Sequence, residues 1–320
     1  MNFISATSYT EDLRELEFFL EKAISDDEFI KEICTPLISG GKRLRPKLFL
    51  LCAHTKKICS NEKLLPLATA LELIHTASLV HDDILDGAKK RRGAETLNSI
   101  YGAQIAVLVG DFLFAKAFQL VAENNYGDEV SGILSKLVKN LCIGEIMQDR
   151  ALFKIPTLTE YYSRIDLKTA FFLSTCCRLG GLVSELKNSE IENLANYGTS
   201  LGLAFQIVDD LLDFFGEENI TGKALGGDLK SGVITLPVIR ALQAGKNSVA
   251  LKNILAQDKI SADDIKTAIK IISETDAVEY CRNRAASHIE SARLNLPPEI
   301  NDCVKISLEK IADFVINRRW

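Results

Sequence analysis

The chain has 320 residues, 47% of them apolar and 25% charged, with a formal net charge of -5 and a pI near 5.6. That length can bury a large core, as one big domain or two ordinary ones. The acidic balance leaves no global basic field for nucleic acid or an anionic membrane surface, so neither is expected as a partner.

The eight cysteines include no CxxC pair, and Cys176 and Cys177 are adjacent, so the spacing suggests neither a zinc site nor a disulfide framework. Reduced core thiols are expected. Met1 to Leu20 alternates acidic and apolar residues, with no basic segment and no small-residue cleavage site to mark a secretion signal. The longest uncharged apolar stretches fall short of the ~18 residues that span a bilayer. The expectation is a cytoplasmic protein without a transmembrane segment.

Along the chain, apolar residues recur at three- and four-residue spacing through Leu13–Ile24, Leu64–Leu85, Ile105–Val121, Ile133–Met147, Leu194–Phe215 and Ile265–Ile272. Alternating strand-like runs are scarce. Pro36 and Pro46 are expected to flank a loop-to-helix transition, Pro156 to follow a helix, and Pro297 and Pro298 to precede the last one. The Gly-rich stretch from Gly216 to Gly232 reads as the one long loop, and no Pro/Ser-rich linker divides the chain. The expected fold class is all-α, a many-helix bundle forming a single domain over residues 1–320.

One internal echo stands out. Val80-His81-Asp82-Asp83-Ile84-Leu85-Asp86 resembles Ile207-Val208-Asp209-Asp210-Leu211-Leu212-Asp213, 127 residues later. Each copy is a DDxxD motif in an apolar helical context. At about 100° per residue, its first and fifth carboxylates lie about 40° apart on one helix face, and the second is expected to share that face. Carboxylates crowded on one face repel, and aspartate is a mediocre helix former, so a cation is needed to compensate. Magnesium is usually held by one or two carboxylates plus substrate phosphates, so two such helices suit a diphosphate bridged by several ions. The bland alternative, a pair of solvated acidic turns, is hard to reconcile with two copies in apolar helices. An EF-hand is excluded because its glycine and ligand spacing are missing.

A diphosphate also calls for fixed cations. Gly40-Gly41-Lys42-Arg43-Leu44-Arg45-Pro46 and Arg91-Arg92-Gly93 supply them. His75, seven residues before Asp82, falls within about 20° of the same helix face. Lys168-Thr169 opens an apolar helix, Gln206 precedes the second aspartate cluster by three residues, and Lys223 sits in the Gly-rich loop, a place suited to a lid or phosphate contact.

Together these segments resemble the trans-isoprenyl diphosphate synthase family from Gly40 to about Pro237. GGKRLRP, IHTASLVHDDILD with the trailing RRG, GEIMQ, KTA, and GLAFQIVDDLLDFFG with GK, DL and TLP appear in the family's order. The resemblance implies an all-helical isoprenoid synthase fold around a deep central cavity, a homodimer or two-subunit enzyme, and three Mg²⁺ ions bound with the substrate diphosphate. It further implies that Lys42, Arg45, His75 and Arg92 contact isopentenyl diphosphate. Asp82, Asp83 and Asp86, with Asp209, Asp210 and Asp213, resemble the metal ligands on the allylic diphosphate. Arg91, Lys168 and Lys223 resemble that diphosphate's cationic partners, and Thr169 and Gln206 resemble dipoles facing the developing carbocation. Glu95, Val233, Asp149 and Arg150 depart from the family pattern; Val233 replaces an expected phosphate-binding lysine.

The implied reaction is ionisation of an allylic carbon–oxygen bond, attack by an alkene and loss of a proton, which the departing diphosphate takes. A terpene cyclase would carry a different second metal motif, a silent regulatory subunit would typically have lost one aspartate cluster, and a plain helical scaffold would need neither. For chain length, Ala77 and Ser78 stand where aromatic residues in this family resemble a floor at farnesyl or geranylgeranyl length. Small residues there, with Ile74 and Ala70 a turn further along, point to a medium or long product, hexaprenyl to decaprenyl with octaprenyl central. A short-chain synthase or one subunit of a heteromeric enzyme are the alternatives.

Overall fold

A computed structural model describes residues 7–318 other than 57–59, 92, 217–224, 246–247 and 258. Each apolar periodicity lies in a helix. The first four are α1 (Thr7–Ala23), α2 (Glu28–Ile38), α3 (Leu44–Ala53) and α4 (Asn61–Leu85). A two-residue hairpin, β1 (Lys90–Arg91) and β2 (Ala94–Glu95), pairs antiparallel with Lys90 opposite Glu95. There follow α5 (Leu97–Tyr101), α6 (Ala103–Glu123), α7 (Gly127–Arg150), α8 (Leu158–Ile165), a five-residue π-helix (Asp166–Ala170), α9 (Phe171–Val183) and α10 (Asn188–Phe215). The remainder is α11 (Gly227–Lys230), α12 (Leu236–Gln243), α13 (Ser248–Leu255), α14 (Ala262–Ser273), α15 (Ala277–Leu294) and α16 (Asp302–Ile316). The helical architecture expected from the sequence is therefore present.

Local chemistry sets several boundaries. Asp27 caps α2 by accepting from the Phe29 and Ile30 amides at 2.9 and 3.1 Å, and reciprocal capping boxes start α8 (Thr157 with Glu160) and α14 (Ser261 with Asp264). Pro36 departs from expectation: it lies inside the last turn of α2. Its missing N–H forgoes one i→i−4 bond of the helix, which ends two residues later. Of the Gly216–Gly232 stretch, residues 225–232 contain a turn and the four-residue α11 rather than a continuous loop.

The chain divides into two compact units. Unit 1 comprises Met1–Val138, Leu173–Asn196 and Leu296–Lys310; unit 2 comprises Lys139–Phe172, Tyr197–Asn295 and Ile311–Trp320. The core of unit 1 is built on α4, which is apolar nearly all round and packs against α1, α3 and α6. Its α9 approaches α3 closely at Gly180, and Cys52, Cys176 and Cys177 are buried free thiols there. In unit 2, α15 packs on α12 and α14, and Tyr161, Tyr197 and Phe214 are fully enclosed.

Two helices, α4 and α6, reach the length and apolar content of a membrane span, a result the uncharged-stretch criterion did not anticipate. In α4 78% of that window is buried inside the protein, as befits a core helix, whereas in α6 only 33% is. The outward apolar surface of α6 includes Val107 and Leu108.

Candidate active site

The GGKRLRP segment is anchored by Arg43, whose part is not evident from the sequence. Arg43 opens α3 in a left-handed backbone conformation (φ 48°) and is nearly buried. Its guanidinium forks onto Glu17 through Nε and Nη2 at 2.7 Å each, donates to Glu72 at 2.8 Å, and reaches the Ile38 carbonyl. A buried cation needs such full pairing, and bidentate pairing fixes orientation as well as charge. Lys42 and Arg45 lie on either side of this anchored residue in the sequence. Arg45 Nη1 lies 3.0 Å from His75 Nε2, so two of the expected isopentenyl diphosphate contacts are brought together. Arg92 lies outside the described residues.

At the first aspartate cluster, Asp82 is half-buried and Asp86 exposed at the end of α4, one turn apart. Asp83 does not share their face, contrary to expectation. A step of 100° carries it into the interior, where Arg91 Nε donates to both carboxylate oxygens at 2.8 and 2.9 Å. The hairpin after α4 is what delivers Arg91. Asn98 ties that connection down by donating to the Asp83 and Ala88 carbonyls at 3.3 and 3.2 Å.

Unit 2 repeats the pattern. Asp210 is buried and turned from the face of its neighbours, accepting from Tyr161 Oη at 2.6 Å and Gln206 Nε2 at 2.9 Å. Burial, with the nearby Asp228 carboxylate, pushes the Asp210 pKa up to about 7, against the pull of its two donors. Because Asp210 accepts from the Gln206 amide nitrogen, the Gln206 carbonyl oxygen is left facing the Thr169 hydroxyl, which donates to it at 2.7 Å. Thr169 sits in the π-helix, a local widening often found at functional sites. Close approach there depends on Gly202: a Cβ at that position would stand 2.4 Å from Ala170 Cα.

Lys168 is held by the GEIMQ segment of α7, a motif recognised in the sequence but given no task. Glu145 pairs with its ammonium at 2.5 Å, and Gln148 accepts at 3.0 Å. Gly144 leaves room for the stem, since a Cβ there would meet Lys168 Cγ at 2.6 Å. Asp213 accepts from the Asp228 amide at 3.2 Å, and its own carbonyl accepts from the Gly226 amide. Lys223 falls outside the described residues. Asp209 pairs with Arg318 at 2.5 Å. No sequence pattern pointed to Arg318 or Tyr161, because neither belongs to a motif and each meets its aspartate across a long sequence gap.

Asp82 and Asp86 in unit 1, and Asp209 and Asp213 in unit 2, are the carboxylates with accessible surface. Among the described residues no three acidic, His or Cys side chains form a metal cage. Magnesium needs none, since one or two carboxylates completed by substrate phosphate and water suffice, and these hard oxygen donors fit it.

Of the chain-length positions, Ala77 and Ile74 are fully enclosed (0% exposed), whereas Ser78 is half-buried and donates its hydroxyl to the His75 carbonyl at 2.8 Å.

The polyprenyl synthetase family model matches residues 27–272. A short chain isoprenyl diphosphate synthase of Methanocaldococcus jannaschii is 36% identical over 309 residues, 95% of this chain and 92% of the relative. A Caulobacter crescentus polyprenyl synthase, crystallised with calcium and isoprenyl diphosphate, superposes with a TM-score of 0.91 at 30% identity, covering 97% of this chain and 96% of that one. A Rhodobacter capsulatus decaprenyl diphosphate synthase superposes with a TM-score of 0.90 at 32% identity, covering 98% of each. The chain has the helical isoprenoid synthase fold, and with a family match over most of its length and relatives of this identity it belongs to the polyprenyl synthetase family and is a prenyltransferase.

Proposed function

We propose that this protein condenses isopentenyl diphosphate head to tail onto an allylic diphosphate with Mg²⁺, repeating the step to a hexaprenyl to decaprenyl product, octaprenyl being the central length. The observation that carries this reading is the hydrogen-bonded set Thr169, Gln206 and Asp210 beside the accessible Asp209. It holds two neutral dipoles and a metal-binding carboxylate in fixed relation, as a reaction passing through a carbocation requires. Asp82, Asp86, Asp209 and Asp213 would hold the metal, whose chemistry is to neutralise the diphosphate as it leaves. Asp83 and Asp210, assigned as ligands from the sequence, act in this reading through Arg91 and Gln206. Lys168 and Arg91, with Lys223, bind the allylic diphosphate; Lys42, Arg45, His75 and Arg92 bind isopentenyl diphosphate. The apolar helices exclude water that would otherwise capture the cation. The enzyme would act in the cytoplasm.

The length reading is supported by Ser78, the position with accessible surface, and by the absence of an aromatic at 77 or 78. Ser78→Phe should shorten the product toward farnesyl or geranylgeranyl diphosphate with condensation retained. Ala77→Tyr should shorten it too but also lower the melting temperature, because an aromatic forced into an enclosed site overpacks the core. The reading is tested by incubating the protein with labelled isopentenyl diphosphate, an allylic primer and Mg²⁺ and sizing the products. A wild-type product no longer than geranylgeranyl would overturn the length assignment.

The active form is a homodimer in this reading, supported by the apolar surface that α6 leaves open. Leu108, 62% exposed, is the most accessible large apolar residue on that helix. Light scattering should give a dimer for the wild type and a monomer for Leu108→Glu; a wild-type monomer would contradict it.

A further inference from the structure

Arg318 lies two residues beyond the end of α16, in unit 2. The helix end that carries it is fixed, with Ala312 and Val315 fully buried and Ile316 lining a cavity shared with Val208 and Leu211 of α10. From that base the Arg318 side chain lies back along α10. Its guanidinium stacks over the Phe205 ring, 4.5 Å from the centroid, and pairs with Asp209 Oδ1 at 2.5 Å. Phe205 and Asp209 are four residues apart on one helix, so a single planar cation spans one turn with a face contact at one end and an ion pair at the other. The pair is partly exposed, Arg318 at 19% and Asp209 at 34%.

We propose that Arg318 is a resident counter-ion of Asp209 and exchanges with the metal, so that loading the second aspartate cluster releases the Arg318 side chain. The inference rests on the proposed role of Asp209 as a metal ligand. Arg318 stands against a carboxylate oxygen of Asp209, so a divalent ion held by that carboxylate would compete with it, and a monovalent guanidinium yields to a divalent ion accompanied by diphosphate. Exchange of this kind is reciprocal: whatever weakens the Arg318 contact must strengthen metal binding by the same factor.

The test uses the full chain and Mg²⁺ with inorganic pyrophosphate as the probe, read by titration calorimetry and by fluorescence of Trp320, the sole tryptophan, two residues beyond Arg318 in the sequence. Arg318→Gln should bind Mg²⁺-pyrophosphate roughly two- to fivefold more tightly than the wild type, the range that loss of a partly exposed ion pair allows. Arg318→Lys should fall between them. The wild-type Trp320 signal should shift on addition of the probe, and Asp209→Ala should begin at the shifted value. Equal or weaker binding by Arg318→Gln, or a Trp320 signal that the probe does not move, would overturn the exchange. Should Asp209→Ala bind the probe as tightly as the wild type, the metal-ligand reading of Asp209 itself fails, an outcome distinct from failure of the exchange alone.

Discussion

At the residue scale, the doubled aspartates divide their labour. In each DDxxD copy the second carboxylate is buried and spoken for, Asp83 by Arg91 and Asp210 by Tyr161 and Gln206, while the first and fifth retain accessible surface. Asp210 has a measurable consequence. Burial raises its folded pKa to about 7 from the ordinary aspartate value of 3.8, so between those values the folded state holds a proton that the unfolded state has lost. Stability from this group is therefore fully present below about pH 4 and declines as pH rises toward 7. Asp210→Asn should flatten that part of the profile, as followed by melting temperature against pH, and an unchanged slope would show that Asp210 does not titrate there. The DDxxD spacing made the existence of the motifs legible, but not this division. Which carboxylate turns inward depends on partners such as Tyr161 and Arg91, whose meeting with the aspartates is a tertiary fact.

At the scale of elements, the site in unit 2 depends on how closely α10 can approach the π-helix. Gly202 permits that contact, which brings Thr169 and Gln206 to 2.7 Å. Gly202→Val should push the elements apart, costing about 1–3 kcal/mol of stability as overpacking does. Activity should fall further than the stability loss explains, with the deficit in kcat rather than in the Michaelis constant for isopentenyl diphosphate. A variant with normal kcat would show that the contact does not position the pair. The helices themselves were legible, because their three- and four-residue periodicities are long and strong; α4, α6, α7 and α10 lie where the pattern puts them. The π-helix was not, since a single widened turn leaves no mark on apolar spacing. The role of GEIMQ was equally hidden: Gly144, Glu145 and Gln148 acquire meaning only when Lys168 is seen against them.

At the scale of the whole molecule, each unit carries one aspartate cluster together with its own cationic residues: Arg45 and Arg91 in unit 1, Lys168 in unit 2. In the proposed function both clusters serve one metal-dependent condensation. The most direct measurement is incorporation of labelled isopentenyl diphosphate by the wild type, Asp82→Ala and Asp209→Ala in Mg²⁺, with helical content checked by circular dichroism. Each variant should keep its helices and lose turnover by about two orders of magnitude or more, as removal of a metal ligand from a leaving group does. Near-wild-type turnover in both variants would contradict it.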